Sequence, residues 1–386
     1  MKFEVFWKNP GYKVRPELKK EIMCDYLVVG GGVTGVSLAY FLAKNSAKKV
    51  VLIEKETIAS GATGKAAGTL VVKAELDMKE MLEKLGRKKG LLFWKANHEV
   101  LSSLKEIIER EKIDCDYELQ DTVYGSTSRD QDSFILGEYA VEKKIEKSTQ
   151  LIAGEKLREI INTTFFRHAI LSKNHGLSVD PLRFTQNLSA VIEKYGVKVF
   201  EHTPFLRVKG DKAITPRGTI TFKKLIMAID SETRHGRVRK RNSTLIVTKP
   251  LTNKEVALIG MNPKKIVWDA KNDYHYFKIM PDNRMLIGYG DRYVTKKHAQ
   301  TSPREIAVNR TKKFMKKLFP KLNLEFDYGW SGNYGVTKNR IPLLDIKGNI
   351  WFIAGAGSQV GCVMAAKHIV NKLLGKDSPL EDFFKE

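Results

Sequence analysis

The chain has 386 residues, which is enough for two domains and a deep hydrophobic core. Hydrophobic residues make up 42% of it and charged residues 29%, a composition that excludes a disordered or fibrous protein. The 67 Lys and Arg residues outnumber the 44 Asp and Glu residues, which gives a net charge of +23.

This positive charge does not by itself identify a partner. Nucleic acid, an anionic membrane surface and an acidic substrate all fit it, but the lysines are spread along the whole chain and no nucleic-acid-binding motif accompanies them. We therefore interpret the charge as a general lysine bias. The densest basic run, residues 234–241 (RHGRVRKR), is interpreted as a solvated loop, with a docking patch as the alternative.

Targeting features and cysteine usage predict a cytoplasmic protein. The N-terminus lacks an apolar run followed by a small-residue cleavage site, so we expect no signal peptide. Cys24, Cys115 and Cys362 are odd in number and far apart, and they form neither a metal-binding pattern nor a disulfide framework.

The first elements follow an order typical of nucleotide binding. Residues 25–30 (DYLVVG) are a short apolar run, residues 33–45 have helical spacing, and residues 49–54 (KVVLIE) are a second apolar run. This strand, turn, helix and strand occupy about thirty residues, the size of one mononucleotide-binding unit.

Later elements alternate between helical and strand patterns. Helices are predicted at 78–112, with interruptions near Gly86 and Gly90, and at 182–195. Short strands follow at 197–201, 205–208, 213–215, 219–222 and 225–229, strand-like runs dominate 245–289, and 303–319 is an amphipathic helix. No repeat or low-complexity linker divides the chain, so we expect interleaved domains.

Three glycines predict a dinucleotide site. Gly30, Gly32 and Gly35 have G-x-G-x-x-G spacing between the first strand and its helix, where glycine permits a tight turn, close approach to a pyrophosphate and close packing. The helix N-terminus adds N–H donors and a positive dipole. Glu54 ends the second strand, where an acid binds ribose hydroxyls and disfavours a 2′-phosphate. FAD or NAD is therefore expected rather than NADP.

The segment after Glu54 resembles a known family. Residues 55–70 (KETIASGATGKAAGTL) resemble the segment that runs under the flavin in the D-amino-acid oxidase superfamily of FAD-dependent oxidoreductases. The resemblance continues through 178–208, through 330–345 (WSGNYGVTKNRIPLLD) and through 348–358. The pattern in 330–345 is most similar to that of gamma-glutamylputrescine oxidase-like members and, more broadly, of glycine and sarcosine oxidase-like members.

The resemblance implies an α/β fold with two interleaved parts. One is a Rossmann-like FAD-binding domain (GR2-type), and the other is an α+β substrate domain built on a mostly antiparallel sheet. We assign 22–90, 150–232 and 337–386 to the FAD domain, 91–149 and 233–336 to the substrate domain, and 1–21 to an N-terminal leader.

The fingerprint and the resemblance together imply a set of FAD-binding residues. They are Gly30, Gly32, Val33, Thr34, Gly35, Glu54, Lys55, Ser60, Gly61, Ala62, Thr63, Lys65, Ala66, Ala67, Gly68, Phe205, Ala228, Arg340, Gly355, Gly357, Ser358, Gln359, Val360 and Gly361. Relatives that bind flavin covalently do so through a cysteine where this chain has Ser331 and Gly332, or through a histidine where it has Lys65. We therefore predict non-covalent FAD.

The resemblance also implies the chemistry. A C–H bond next to an amine nitrogen is oxidised, a hydride equivalent passes to flavin N5, and the imine is hydrolysed. This chemistry requires no metal, and none is predicted. The candidate catalytic residues are Tyr276 and Lys278, which share one face of the strand 274–280, and Tyr334. Ordinary cross-strand packing is the alternative for the strand residues.

Several departures from the family pattern bear on the substrate. Tyr334 stands where glycine-oxidase-like members carry a carboxylate-binding arginine, which favours an N-substituted or secondary amine over a plain α-amino acid. Leu286 replaces the lysine that activates oxygen, so oxygen and another acceptor both stay open. Asp230 stands where glycine is usual, and Gln359 and Val360 replace glycine and histidine beside the flavin.

Two alternatives accompany the leading hypothesis of a small-molecule amine substrate. One is a non-catalytic or RNA-associated flavoprotein, and the other is an NAD dehydrogenase. A polycationic amine would be repelled by the net charge unless local carboxylates reversed the field, with Asp269, Asp273, Glu325 and Asp327 as candidates. The sequence does not predict the oligomeric state.

One stretch of nineteen residues, 348–366 (GNIWFIAGAGSQVGCVMAA), carries no charge. A membrane span would place Asn349, Ser358, Gln359 and several glycines in lipid, so we expect no span. We predict a buried strand at 350–354, a glycine loop at 355–361 and the start of a helix, with the loop facing the flavin.

Overall fold

The computed structural model describes residues 1–73, 75–233, 235–261, 265–271, 274–294 and 303–384. Within these ranges the strands are β1 (Glu21–Val29), β2 (Val50–Ile53), β3 (Thr69–Val71), β4 (Glu118–Gly125), β5 (Thr149–Ala153), β6 (His168–Ser178), β7 (Lys198–Phe200), β8 (Arg207–Lys209), β9 (Lys212–Ile214), β10 (Thr219–Met227), β11 (Val238–Thr248), β12 (Lys265–Asp269), β13 (His275–Ile279), β14 (Met285–Tyr293), β15 (Phe326–Thr337), β16 (Leu343–Lys347) and β17 (Ile350–Ala354). The α-helices are α1 (Val33–Asn45), α2 (Met78–Arg110), α3 (Arg129–Glu142), α4 (Gly154–Ile160), α5 (Pro181–Lys194), α6 (Asn253–Ile259), α7 (Pro303–Leu318) and α8 (Gln359–Leu373).

The first sheet contains the predicted nucleotide-binding unit. Its strands lie in the order β16-β17-β10-β1-β2-β7, and β8 and β9 extend it beside β10. Strands β17, β10, β1, β2 and β7 are parallel neighbours, whereas β16 pairs antiparallel with β17. Both faces of β1 are covered, because Val28 packs in the core that contains α1, α5 and α8 while Leu27 packs in a smaller core on the other face. This burial explains the unbroken apolar run in the sequence.

The second sheet is mostly antiparallel, as the resemblance implied. Its strands lie in the order β15-β11-β14-β13-β12-β4-β6-β3, with β5 beside β6. Only β12 and β4 run parallel among the strand pairs of this sheet in the described residues. One face carries a core that includes Phe277 of β13 and Phe314 of α7, and the other face turns towards a large cavity.

Three strands lie in a different sheet from the one that the predicted division into two domains implied. Strands β3, β5 and β6 lie in segments that were assigned largely to the FAD domain, yet they pair within the second sheet. Strand pairing between distant segments decides this membership, and local sequence pattern does not report it. The predicted partition into two domains otherwise remains a prediction.

Several element predictions need correction. The two strands expected at 219–222 and 225–229 are one strand, β10. Residues 245–289, where strand-like runs were expected to dominate, also include α6, which begins with a capping box between Thr252 and Glu255. Helix α2 continues past Gly90 and is kinked at Gly86, where φ is +74°.

The basic run is a loop at 235–237, but its second half is not. Residues 238–241 belong to β11, which pairs with β14 on one side and with β15 on the other. Arg239 and Arg241 both lie over the ring of Tyr293, at 6.0 and 5.1 Å from its centroid. Arg234, which begins this run, and Asp273 lie outside the described residues.

The uncharged stretch folds as a strand, a short loop and a helix. Strand β17 ends at Ala354, Gly355 and Gly357 both have φ near +70°, and α8 begins at Gln359. The predicted glycine loop, 355–361, therefore ends at Ser358, three residues earlier than expected. In the part of the chain that the structure describes, no helix combines the length and the apolar character that crossing a bilayer requires.

Candidate active site

A cavity of about 1510 Å³ separates the carboxyl ends of the first sheet from the open face of the second. Its volume exceeds the roughly 300–1,000 Å³ of ordinary small-molecule pockets. The space therefore suits a large cofactor together with a substrate.

Most of the predicted cofactor-binding residues line this cavity. Those that do are Gly30, Gly32, Val33, Thr34, Glu54, Lys55, Ser60, Gly61, Ala62, Thr63, Lys65, Ala66, Ala67, Gly68, Phe205, Ala228, Arg340, Gly357, Ser358, Gln359 and Val360. Gly35, Gly355 and Gly361 are not among the lining residues. Gly35 packs against the Gly30 carbonyl and Gly361 against the Ala356 carbonyl, whereas Gly355 packs against the side chain and backbone of Thr337.

The glycines of the fingerprint leave room for close backbone packing. Gly30 has φ +110°, and a Cβ there would overlap the carbonyl oxygen of Ala228. A Cβ at Gly35 would overlap the carbonyl oxygen of Gly30, so no side chain fits where α1 crosses the end of β1. The Thr63 hydroxyl accepts a hydrogen bond from the Val33 N–H at 3.0 Å and joins the second loop to the start of α1.

Glu54 is held in place for hydroxyl recognition. One carboxylate oxygen accepts from the Gly31 N–H at 2.6 Å, and the other accepts from the Glu56 N–H at 3.0 Å. Each carboxylate oxygen has a further lone pair. Glu54 therefore keeps acceptor capacity at the cavity wall, as a ribose-binding acid requires.

The 59–69 loop is fixed by three side chains from distant segments. The indole N–H of Trp7 donates to the Ala66 carbonyl at 2.8 Å, and that of Trp330 donates to the Lys65 carbonyl at 2.9 Å. The Lys278 ammonium donates to the Gly68 carbonyl, also at 2.9 Å. Trp7 belongs to the N-terminal leader, and its contact with this loop was not predicted from the sequence.

Lys278 does not line the cavity, so its position does not support the predicted catalytic role. Its side chain is 1% exposed, and the ammonium also donates to the Ser178 hydroxyl at 2.5 Å. Burial lowers the pKa of Lys278 to about 7. The alternation in β13 was read correctly, but at this position the sheet face is already covered by the loop at Gly68.

Aromatic side chains from three neighbouring strands form a wall of the cavity. Trp268 of β12 pairs in register with Tyr124 of β4 and with Tyr276 of β13. The rings of Tyr124 and Trp268 stack at 5.2 Å, and Tyr276 lies beside Tyr274 at 5.9 Å. We refer to Tyr124, Trp268 and Tyr276 as the aromatic wall.

Gly288 determines where the Tyr276 ring lies. It pairs with Tyr276 across β13 and β14, and a Cβ at this position would overlap the phenol ring. The Tyr276 hydroxyl is 3.5 Å from that of Ser243, which sits at an irregularity in the pairing of β11. The tyrosine therefore lies over bare backbone, a relation that one sequence position alone cannot reveal.

Tyr334 also lines the cavity, and it pairs in register with Arg241 of β11. Arg241 lines the cavity as well. An arginine therefore lies on the strand next to the position where the family's carboxylate-binding arginine was expected. Sequence reasoning missed it because the two residues are more than ninety positions apart.

The charged residues that line the cavity do not share the excess positive charge of the chain. The acidic ones are Glu54, Glu56, Glu75, Asp77, Glu80, Glu83, Asp230, Glu232 and Asp269, and the basic ones are Lys55, Lys65, Lys73, Lys79, Arg241, Lys271 and Arg340. Asp269 was one of the carboxylates proposed to reverse the local field, whereas Glu325 and Asp327 do not line the cavity.

A buried charge cluster adjoins the aromatic wall. The Lys73 ammonium lies 2.9 Å from Glu142 and 3.4 Å from Glu138. Burial raises the pKa of Glu142 to about 7 and that of Asp77 to about 6. The Glu142 carboxyl is therefore partly protonated near neutral pH, even beside Lys73.

The structure gives a role to Asp230, which stands where the family usually has glycine. Its backbone keeps the left-handed conformation, with φ +44°, that glycine adopts readily. Its carboxylate accepts from the Gly335 N–H at 2.8 Å and from the Gly355 N–H at 3.2 Å, and so joins β15 to the loop before α8. Burial raises the pKa of this carboxyl.

The start of α8 offers polar contacts to a cofactor. The Ser358 hydroxyl caps the helix by accepting from the Gly361 N–H at 3.1 Å. Within the described residues the buried Gln359 Oε1 has no hydrogen-bond partner, and Gln359 lines the cavity. Gly332 lies opposite, where a Cβ would come within 3.1 Å of Lys65. An orphaned amide oxygen and bare backbone fit a flat polar ring such as a flavin.

Comparisons with known proteins agree with this geometry. The sequence profile of the family described as DAO, FAD dependent oxidoreductase, matches residues 25–371. The chain is 26% identical to the probable oxidoreductase OrdL of Haemophilus influenzae and 25% identical to the gamma-glutamylputrescine oxidoreductase of Escherichia coli. Each alignment covers 95% of this chain and 87% of the relative. The fold is similar to that of glycine oxidase from Geobacillus kaustophilus, with a TM-score of 0.78, 19% identity and coverage of 94% and 98% of the two chains.

Proposed function

Because this chain belongs to the DAO family of FAD-dependent oxidoreductases, we propose that it oxidises a small amine or an N-substituted amino acid. The observation that carries the proposal is the aromatic wall, which shares one cavity with the FAD-binding loops. When bound, FAD accepts the electron pair of the oxidised C–H bond.

The residues present fit FAD and would hold it along the cavity. Gly30, Gly32 and the start of α1 would take the pyrophosphate, and Glu54 would take the ribose hydroxyls. The 59–69 loop and the start of α8 would take the ring. We propose that the FAD is non-covalent, because Ser331, Gly332 and Lys65 stand where relatives carry the linking residues.

The aromatic wall would orient the amine. Aromatic faces attract cationic or partly charged nitrogen and exclude water from the reacting carbon. The wall is rigid because strand register holds its members, and Tyr276 is confined above Gly288. An amine held there faces the loop that contains Ala66 and Ala67.

A carboxylate would receive the amine's proton. Oxidation requires the neutral amine, and Asp77 lines the cavity with a pKa near 6, so it is ionised at pH 7.5. Its neighbour Tyr124 forms a side-chain hydrogen bond with it. We infer that the Asp77 carboxylate accepts the proton that the amine loses.

The substrate would also carry a negative group. Arg241 lines the cavity next to Tyr334 and lies over Tyr293, and a guanidinium binds carboxylates in a bidentate manner. This anchor suits a zwitterionic or anionic amine better than a free polyamine, in agreement with the net charge of +23.

The electron acceptor is not determined by these residues. Leu286 is fully buried, and Lys278, its partner across the sheet, is directed at the Gly68 carbonyl. Oxygen and a different acceptor therefore remain the two options, and the experiment must measure both.

The test is a substrate panel on the FAD-loaded protein. Amines with and without a carboxylate are assayed with an oxygen electrode and, separately, with an artificial electron acceptor under nitrogen. We expect turnover with N-substituted amino acids or carboxylate-bearing amines. The proposal would be contradicted if the protein oxidised alcohols with NAD as the acceptor. It would also be contradicted if no amine were oxidised with either acceptor.

A further inference from the structure

A cluster of metal-ligand side chains lies outside the cavity. His98 comes from α2, Glu146 from the turn after α3, and His175 from β6. None of them lines the cavity. One ligand atom from each lies within 4.8 Å of the others.

The distances suit a single transition-metal ion. His98 Nε2 is 3.2 Å from Glu146 Oε2, and His175 Nε2 is 3.8 Å from the same oxygen. Tetrahedral zinc with bonds of about 2.1 Å separates its ligand atoms by about 3.4 Å. Small side-chain rotations would bring all three atoms to that separation.

The surroundings of the cluster leave a ligand atom available. Within the described residues, the buried His98 Nε2 has no hydrogen-bond partner. The nearby Lys73 would repel a cation, but its charge is balanced by Glu138 and Glu142. The Ser148 hydroxyl lies 3.1 Å from His175 Nε2 and also donates to the Glu146 carboxylate, so it is a candidate fourth ligand.

We propose that His98, Glu146 and His175 bind one divalent ion of the zinc class, with water or Ser148 as the fourth ligand. The ion joins α2 to the second sheet behind the aromatic wall, since His175 and the strand partner of Tyr124 both belong to β6. Because only three of its ligands come from protein side chains, the bound ion should exchange more readily than the ion of a structural site with four protein ligands.

The experiment is zinc titration of the FAD-loaded, EDTA-treated protein by calorimetry, with the thermal midpoint measured in parallel. We expect one equivalent of zinc to bind, and the thermal midpoint to rise by about 3 °C or more at zinc 100-fold above its Kd. H98N and E146Q should weaken binding at least about 10-fold.

The matched control is H168N. His168 is also partly exposed and lies 3.1 Å from a carboxylate, Asp132, but no second imidazole completes a described cluster there. It should bind zinc like the wild type. An unchanged flavin spectrum establishes that each variant is folded. Failure of the wild type to bind one equivalent, or equal affinity in H98N and wild type, would show that the cluster is an ordinary hydrogen-bonded group.

Discussion

At the scale of single residues, two positions show how side chains far apart in sequence build the site. Tyr276 owes its place over the cavity to Gly288, since any side chain there would overlap its ring. Lys278 owes its unusual acidity to burial, and its ammonium supports the loop at Gly68. The first effect depends on the pairing of β13 with β14, and the second on the contact between β13 and the 59–69 loop.

Replacing Gly288 by alanine should disturb the aromatic wall. Because the new methyl overlaps the Tyr276 ring, we expect the free energy of unfolding to fall by about 1–3 kcal/mol and KM for amines to rise. Substrate kinetics and urea unfolding measure the two effects. Gly11 has open space around it, so G11A is the control. A wild-type KM in G288A would show that the ring position does not matter.

Lys278 should make stability depend on pH. Its pKa is about 7 when folded and about 10.4 when unfolded, so between these values the unfolded chain binds more protons. The free energy of unfolding contributed by this residue therefore rises with pH in that window. Between pH 6 and pH 9, the free energy of unfolding of the wild type should rise by about 1–3 kcal/mol more than that of K278M. Urea unfolding at the two pH values measures this difference.

The exposed Lys254 on α6 provides the control for that measurement. K254M should keep the wild-type slope of stability against pH. Equal slopes in K278M and wild type would mean that the buried amine titrates normally.

At the scale of elements, the sequence predicted the helices and strands that follow from local residue spacing. It did not predict which strands lie next to one another, because that depends on pairing between distant segments. Helix α1 and strand β2 follow from apolar spacing and the fingerprint, and they occur where they were expected. Tyr276 was a predicted site residue, but its place in the aromatic wall could not be predicted, because Tyr124 comes from β4, which is distant in the chain from β12 and β13. Local pattern reports the face of a strand but not its neighbour.

The leader should stabilise the bound cofactor. Since Trp7 donates to the Ala66 carbonyl, W7F removes a hydrogen bond that holds the FAD loop, and FAD should bind about 3- to 10-fold more weakly. Fluorescence titration of apoprotein with FAD measures this change. W351F is a matched control, because the Trp351 indole N–H has no partner within the described residues. Equal losses in both variants would point to general destabilisation.

At the scale of the whole molecule, the surface and the cavity differ in charge. The chain carries +23, yet acidic residues slightly outnumber basic ones along the cavity wall. Long-range attraction therefore favours anionic molecules over cationic ones, and the local carboxylates then accommodate the amine.

The dependence of kcat/KM on salt concentration should differ between anionic and cationic substrates. For an amine whose net charge is negative, kcat/KM should fall as ionic strength rises, because salt screens its attraction to the basic surface. For a dicationic amine, kcat/KM should rise. Steady-state assays from 20 to 500 mM salt, with viscosity held constant, measure both slopes. Identical slopes for the two substrates would contradict the charge argument.

The central claim is that FAD in this cavity accepts electrons from an amine. The direct measurement is anaerobic addition of the best amine of the panel to the FAD-loaded protein while the flavin absorbance near 450 nm (roughly that of free flavin) is followed. We predict complete bleaching, with one amine consumed per FAD. A protein that cannot be loaded with FAD, or whose flavin band no amine diminishes, would contradict the account.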